Sequence, residues 1–79
     1  MKELIERMRI ARVVLRELSR QPLSRSELTR RVIRRGGTYA SFNSMLAYLV
    51  VEGRVEKSGL EHRAPYRITE RGLRFLEAM

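Results

Sequence analysis

The spacing of apolar residues changes at Gly53 and reverts near Thr69, and the change at Gly53 decides the fold class. Before it, apolar residues recur every three or four positions, the period of a helix face; after it, they alternate with charged residues, the period of a strand. Breakers divide the first part into three. Leu4, Met8, Ala11, Leu15 and Leu18 form one stripe, widened by Ile10 and Val14, which predicts a helix over 3–19. Ile5 and Val13 fall outside that stripe. They are either single exposed apolar residues or a surface for a second subunit. Pro22 stops this helix.

Ser24-Arg25-Ser26-Glu27 has the spacing of a capping box, with Ser24 as N-cap and Glu27 reaching back. The second helix is expected over about 25–35, with Leu28, Val32 and Ile33 inward, ending at Gly36-Gly37. A third helix, capped by Thr38 or a neighbour, is expected from Tyr39 to Glu52. Phe42, Leu46, Leu49 and Val50 share one face, with Met45 beside them. After Gly53, Arg54–Lys57 and Tyr66–Thr69 read as short strands joined by a polar loop, and a last short helix starts at Thr69 or Glu70. Leu73, Leu76 and Met79 lie on one side of it, with Phe75 nearby. The prediction is one mostly α domain over 1–79 with a small β-hairpin.

At 79 residues such a domain buries only about 60% of its unfolded surface. A core so thin gains from a partner subunit, and a homodimer is expected, with Ile5, Val13, Phe75 and Met79 as its interface. There is no cysteine to form a disulfide or a zinc knuckle. His62, the single histidine, has no evident carboxylate companions, so no metal or cofactor is expected. No apolar run approaches the roughly 20 residues of a membrane span, and the charged N-terminus is unlike a signal peptide. The expectation is a cytoplasmic, nucleoid-associated protein with no membrane association and no small-molecule ligand.

The formal charge is +8, from 17 Lys and Arg against nine carboxylates, all Glu. A domain this basic seeks polyanions. The distribution says more than the total. No acidic residue stands between Glu27 and Glu52, whereas a solvated helix pair normally mixes signs. Catalysis is poorly provided for. The chain has no Asp, Ser24 and Ser26 are in capping positions, and Gly36-Gly37 follows a helix rather than joining a strand to one. The protein is not expected to be an enzyme.

Four segments resemble parts of a winged helix-turn-helix domain. Val14-Leu15-Arg16-Glu17-Leu18 resembles the close of the first helix. Leu23-Ser24-Arg25-Ser26-Glu27-Leu28 resembles the opening of the second. Phe42 through Val55 resembles the recognition helix running into the first strand, "FxxxLxxLxxxGLV". Tyr66-Arg67-Ile68-Thr69-Glu70-Arg71-Gly72-Leu73-Arg74-Phe75-Leu76 resembles the close of the wing, "YxLTxxGxxxL". Together they are similar to the small archaeal winged-helix regulators and dimeric chromatin proteins, and more distantly to PadR-like and MarR-like repressors. Arg54 stands where the family usually has Leu or Ile. Members that dimerise through a long C-terminal coiled coil run on past the position of Met79, so a different dimer mode is expected.

The resemblance implies a three-helix core, a two-stranded wing, a short C-terminal helix, and double-stranded DNA as partner. The helix around 39–52 would read the major groove, and the 25–35 helix and the wing would contact phosphates. On the second helix the contacts would be Arg25, Arg30, Arg31, Arg34 and Arg35. On the third they would be Thr38, Tyr39, Ser41, Asn43, Ser44 and Tyr48, with Asn43 able to bond adenine bidentately. Tyr48 could equally pack against the second helix or the wing, and Tyr39 in the turn. Lys57, Arg63 and Arg67 are the wing contacts, His62 being an exposed loop residue. A transcriptional regulator is one reading. A weakly specific architectural protein and a protein–protein adaptor in a transcription or replication assembly are the others.

Overall fold

The computed structural model describes residues 2–79. Four helices and a two-stranded antiparallel sheet follow in the order α1 (Lys2–Arg20), α2 (Arg25–Arg34), α3 (Tyr39–Val51), β1 (Val55–Lys57), β2 (Tyr66–Ile68) and α4 (Glu70–Ala78). The element types and order are those that the period of the sequence predicts.

The caps are local chemistry. Ser24 Oγ accepts from the Glu27 amide at 3.2 Å, so the N-cap of α2 is as expected. Glu27 does not reach back; its carboxylate is taken by Arg30 and Arg31 of its own helix. The full capping box is instead on α3. Thr38 Oγ1 accepts from the Ser41 amide at 3.1 Å, and Ser41 Oγ accepts from the Thr38 amide at 3.2 Å. Gly36 and Gly53 adopt φ of +92° and +73°, the left-handed region that costs glycine nothing, and each follows a helix end.

One apolar cluster holds the helices together: Ile10, Val14, Leu15 and Leu18 from α1, Leu28 and Val32 from α2, Phe42, Met45, Leu46 and Leu49 from α3, and Val55 and Tyr66 from the hairpin. Full burial of each large side chain stabilises the fold by about 1.5–3 kcal/mol. Three sequence expectations need correction. Leu4 and Met8 lie on the α1 stripe but are exposed, because the buried part of α1 starts only at Ile10. Ile33 and Leu73 also face solvent. Ile33 is about 100° round the helix from Val32, and the inward place is filled by Thr29, whose hydroxyl is satisfied by the Arg25 carbonyl at 2.7 Å. Val50, placed with Phe42 and Leu46, is exposed, and Met45 is buried in its stead.

The hairpin pairs Val55 with Ile68, Glu56 with Arg67 and Lys57 with Tyr66. A third segment joins it. Leu23 and Tyr66 exchange backbone hydrogen bonds at 3.0 and 2.7 Å, tying the α1–α2 connection to β2. A single paired residue leaves no alternation in the sequence, so this bridge was not legible there. At the other end, Thr69 caps α4 and donates through its hydroxyl to the Gly53 carbonyl at 2.7 Å, while its amide reaches the Arg54 carbonyl at 3.1 Å. Gly72 lies directly over Arg54, where a Cβ would come within 2.1 Å of the Arg54 carbonyl oxygen. Arg54 itself lays its guanidinium 4.1 Å from the Phe75 ring centroid and pairs with Glu52 at 3.3 Å, and its buried Nε makes no hydrogen bond among the described residues.

Candidate nucleic-acid interface

The five arginines of α2 do not form one surface. They divide by helix angle into two groups with different partners. Arg25 is on the same meridian as Val32, so it points across to α3 and the hairpin. Its Nη2 donates to Asn43 Oδ1 at 2.6 Å, its Nη1 to the Tyr66 hydroxyl at 3.5 Å, and its guanidinium lies 5.9 Å from the centroid of Phe42. Ser24, Arg25, Lys57, His62, Arg63 and Tyr66 line a groove of about 730 Å³ between the start of α2 and the hairpin loop.

Arg31 and Arg35 point the other way, to α1. Arg31 Nη1 donates to Glu17 Oε1 at 2.8 Å and Arg35 Nη2 to Glu17 Oε2 at 3.4 Å. Glu17 is only 4% exposed. Its hydrogen bond to Arg31, with the charge of Glu27 added, holds that guanidinium above its ordinary pKa against the opposing effect of burial. Arg30 pairs with Glu27, while Arg34 makes no ion pair or hydrogen bond among the described residues. Arg25 therefore stands apart from the other four arginines of α2, whose charge is partly met by Glu17 and Glu27. Carboxylates absent from the 28–51 stretch return in three dimensions from Glu17 and Glu27. Glu17 could have been noticed in the sequence, since it lies about 20° from Ile10 on the edge of the apolar stripe. A second brace involves Arg9, which donates to the Arg35 carbonyl at 2.9 Å and so closes the end of α2. Glu6 aims Arg9, and the hydrogen bond from Arg9, then its charge, keeps the Glu6 carboxyl below its ordinary pKa.

The solvent face of α3 carries Ala40, Asn43, Ser44, Ala47 and Val51, small and uncharged, with Val51 82% exposed. Tyr48 stands at its edge, and Tyr39 is 63% exposed rather than packed in the turn. Thr38 and Ser41 are committed to the cap, with both hydroxyls engaged. On the hairpin, Arg67 pairs with Glu56 across the strands at 2.6 Å. Lys57 donates to the carbonyls of Glu61 and His62 at 3.4 and 3.0 Å, which shapes the loop. Arg63 and His62 are exposed at that loop without hydrogen bonds or ion pairs from their side chains among the described residues.

Of the residues expected at a subunit interface, Val13, Phe75 and Met79 pack against the chain's own core. Ile5 is 70% exposed and, with Met8, Phe75, Ala78 and Met79, lines an apolar groove of about 450 Å³ between α1 and α4. No cluster of potential metal ligands exists among the described residues, and no helix there is long and apolar enough to cross a membrane.

Comparison with protein-family models, curated proteins and solved structures finds no match to this chain.

Proposed function

We propose that this chain is a winged-helix protein that binds double-stranded DNA, with α3 entering the major groove and the start of α2 and the hairpin loop on flanking phosphates. The observation that carries the reading is the meeting of Arg25, Lys57 and Arg63 in one groove beside the carboxylate-free solvent face of α3. Small side chains on that face let a helix approach base edges closely, and cations beside it neutralise the backbone that must come near. The bridge from Leu23 to β2 supports the same reading, since it ties the hairpin to the helix that it would flank.

A transcriptional regulator and an architectural protein share these phosphate contacts and part only in base readout. The Asn43 and Ser44 side chains favour some base readout, and with it a regulator that is nucleoid-associated and acts as a homodimer through the Ile5 groove. The exposure of Val50 and Val51 favours a second reading, in which this end of α3 meets another protein. Fluorescence anisotropy with labelled random duplexes separates the two readings. The DNA reading expects binding that weakens steeply with salt, and no binding at low salt would hand the surface to a protein partner.

A further inference from the structure

The side-chain oxygen of Asn43 is already occupied. It accepts from Arg25 Nη2 at 2.6 Å, although both side chains face solvent. Asparagine reads adenine through two bonds at once, its carbonyl accepting from the N6 amine and its amide donating to N7. That bond takes one lone pair of the carbonyl and turns it toward Arg25, while the N–H donors of the Asn43 amide stay free. Beside it stand the unused N–H groups of Arg25. The guanidinium is fixed from three directions: by Asn43, by the Tyr66 hydroxyl at 3.5 Å, and by the Phe42 ring 5.9 Å away. The pair therefore shows mainly donors, its one acceptor oxygen being already turned to the guanidinium. Among the base edges in the major groove, guanine offers two adjacent acceptors, N7 and O6, whereas adenine sets a donor beside its acceptor.

We propose that Arg25 and Asn43 act as one recognition unit that selects guanine, with Arg25 touching the base and Asn43 a positioning residue that aims it. This rests on the DNA-binding reading and adds which base the surface selects and by which side chains. It replaces the sequence expectations that Asn43 reads adenine and that Arg25 meets a phosphate. Pre-aiming matters because an exposed arginine otherwise loses much rotamer freedom on binding. Holding the fork before the base arrives removes part of that cost.

The test is selection from a randomised duplex pool, with the intact protein and with Arg25→Ala, Asn43→Ala, Asn43→Asp and the double alanine variant. All are surface changes, and circular dichroism checks that each is folded. The intact protein is expected to retain duplexes with guanine at one position, preferred on the order of tenfold to a hundredfold. Arg25→Ala abolishes that preference and Asn43→Ala weakens it. Asn43→Asp keeps the acceptor and retains the preference, though at lower overall affinity. The double variant is no worse than Arg25→Ala alone, because Asn43 acts through Arg25. Retained duplexes with an adenine preference that Asn43→Ala removes would overturn this inference and leave DNA binding intact. So would an Arg25→Ala variant that weakens every sequence alike, the mark of a phosphate contact. No retained duplex from the intact protein would overturn the inference together with the DNA reading.

Discussion

Gly72→Ala separates two arguments that give opposite signs. Helix propensity alone says that alanine in the first turns of α4 stabilises, by up to about 1 kcal/mol. The packing says otherwise. A Cβ at Gly72 would stand 2.1 Å from the Arg54 carbonyl oxygen and 2.7 Å from Ile68 Cγ1. A side-chain end can swing aside, but the Arg54 carbonyl is backbone and accepts from the Thr69 amide at 3.1 Å. Relief needs α4 to lift by roughly 1 Å, an overpacking that costs about 1–3 kcal/mol. The lift also strains the two hydrogen bonds from Thr69 to Gly53 and Arg54, at about 1 kcal/mol each. It draws Phe75, Leu76 and Met79 off the core as well. The net expectation is a loss of roughly 2–4 kcal/mol, a fall in Tm on the order of 10–25 °C for a domain of this size. Thermal unfolding followed by circular dichroism, with urea unfolding beside it, measures this. An unchanged or raised Tm would refute the close approach of α4 to Arg54.

Three further outcomes follow from the side-chain partners. Glu17→Ala removes the buried carboxylate between Arg31 and Arg35 and is expected to lower Tm by roughly 5–15 °C. Arg34→Ala, which breaks no pair, should leave Tm nearly where it was; equal effects in thermal melts would contradict the pairing of Glu17 with Arg31 and Arg35. Ile5→Glu puts a charge in the apolar groove between α1 and α4 without touching the core, so it should leave the fold intact while shifting any dimer to monomer in light scattering. A protein that is monomeric before the substitution would remove the dimer from this account.

The elements were legible because each rule used is local. The N-cap serines and threonines, the glycines at helix ends and the change of period at Gly53 act over a few residues, and the structure follows them closely. Gly72 was visible as the glycine of the "TxxGxxxL" segment, but its reason, the close approach to Arg54, exists only after the chain has folded back. The errors share that cause. The apolar stripe of α1 is continuous through Leu4 and Met8, yet burial depends on what covers them, and the neighbouring elements leave these turns uncovered. The carboxylate-free stretch from 28 to 51 was real in sequence and partly undone in space, since Glu17 reaches the arginines from 14 and 18 positions away. The sequence also did not show that Ser41, expected at a base, closes the cap of its own helix, or that Asn43 is engaged by an arginine 18 residues earlier.

The central claim is that Arg25, Lys57 and Arg63 form a DNA-binding groove beside α3, with Lys57 and Arg63 on phosphates and Arg25 on a base. The measurement that tests it most directly is the salt dependence of duplex binding, by anisotropy between 50 and 200 mM salt (about the range over which counterion release is easily read), for the intact protein and for a variant with all three cations replaced by alanine. A protein making about six phosphate contacts loses on the order of a thousandfold in affinity over that range. The account predicts such a loss for the intact protein, and a log–log slope shallower by roughly two in the variant, from the phosphate contacts of Lys57 and Arg63. A slope that the triple substitution leaves unchanged, or an intact protein that ignores duplex DNA at 50 mM salt, would contradict it.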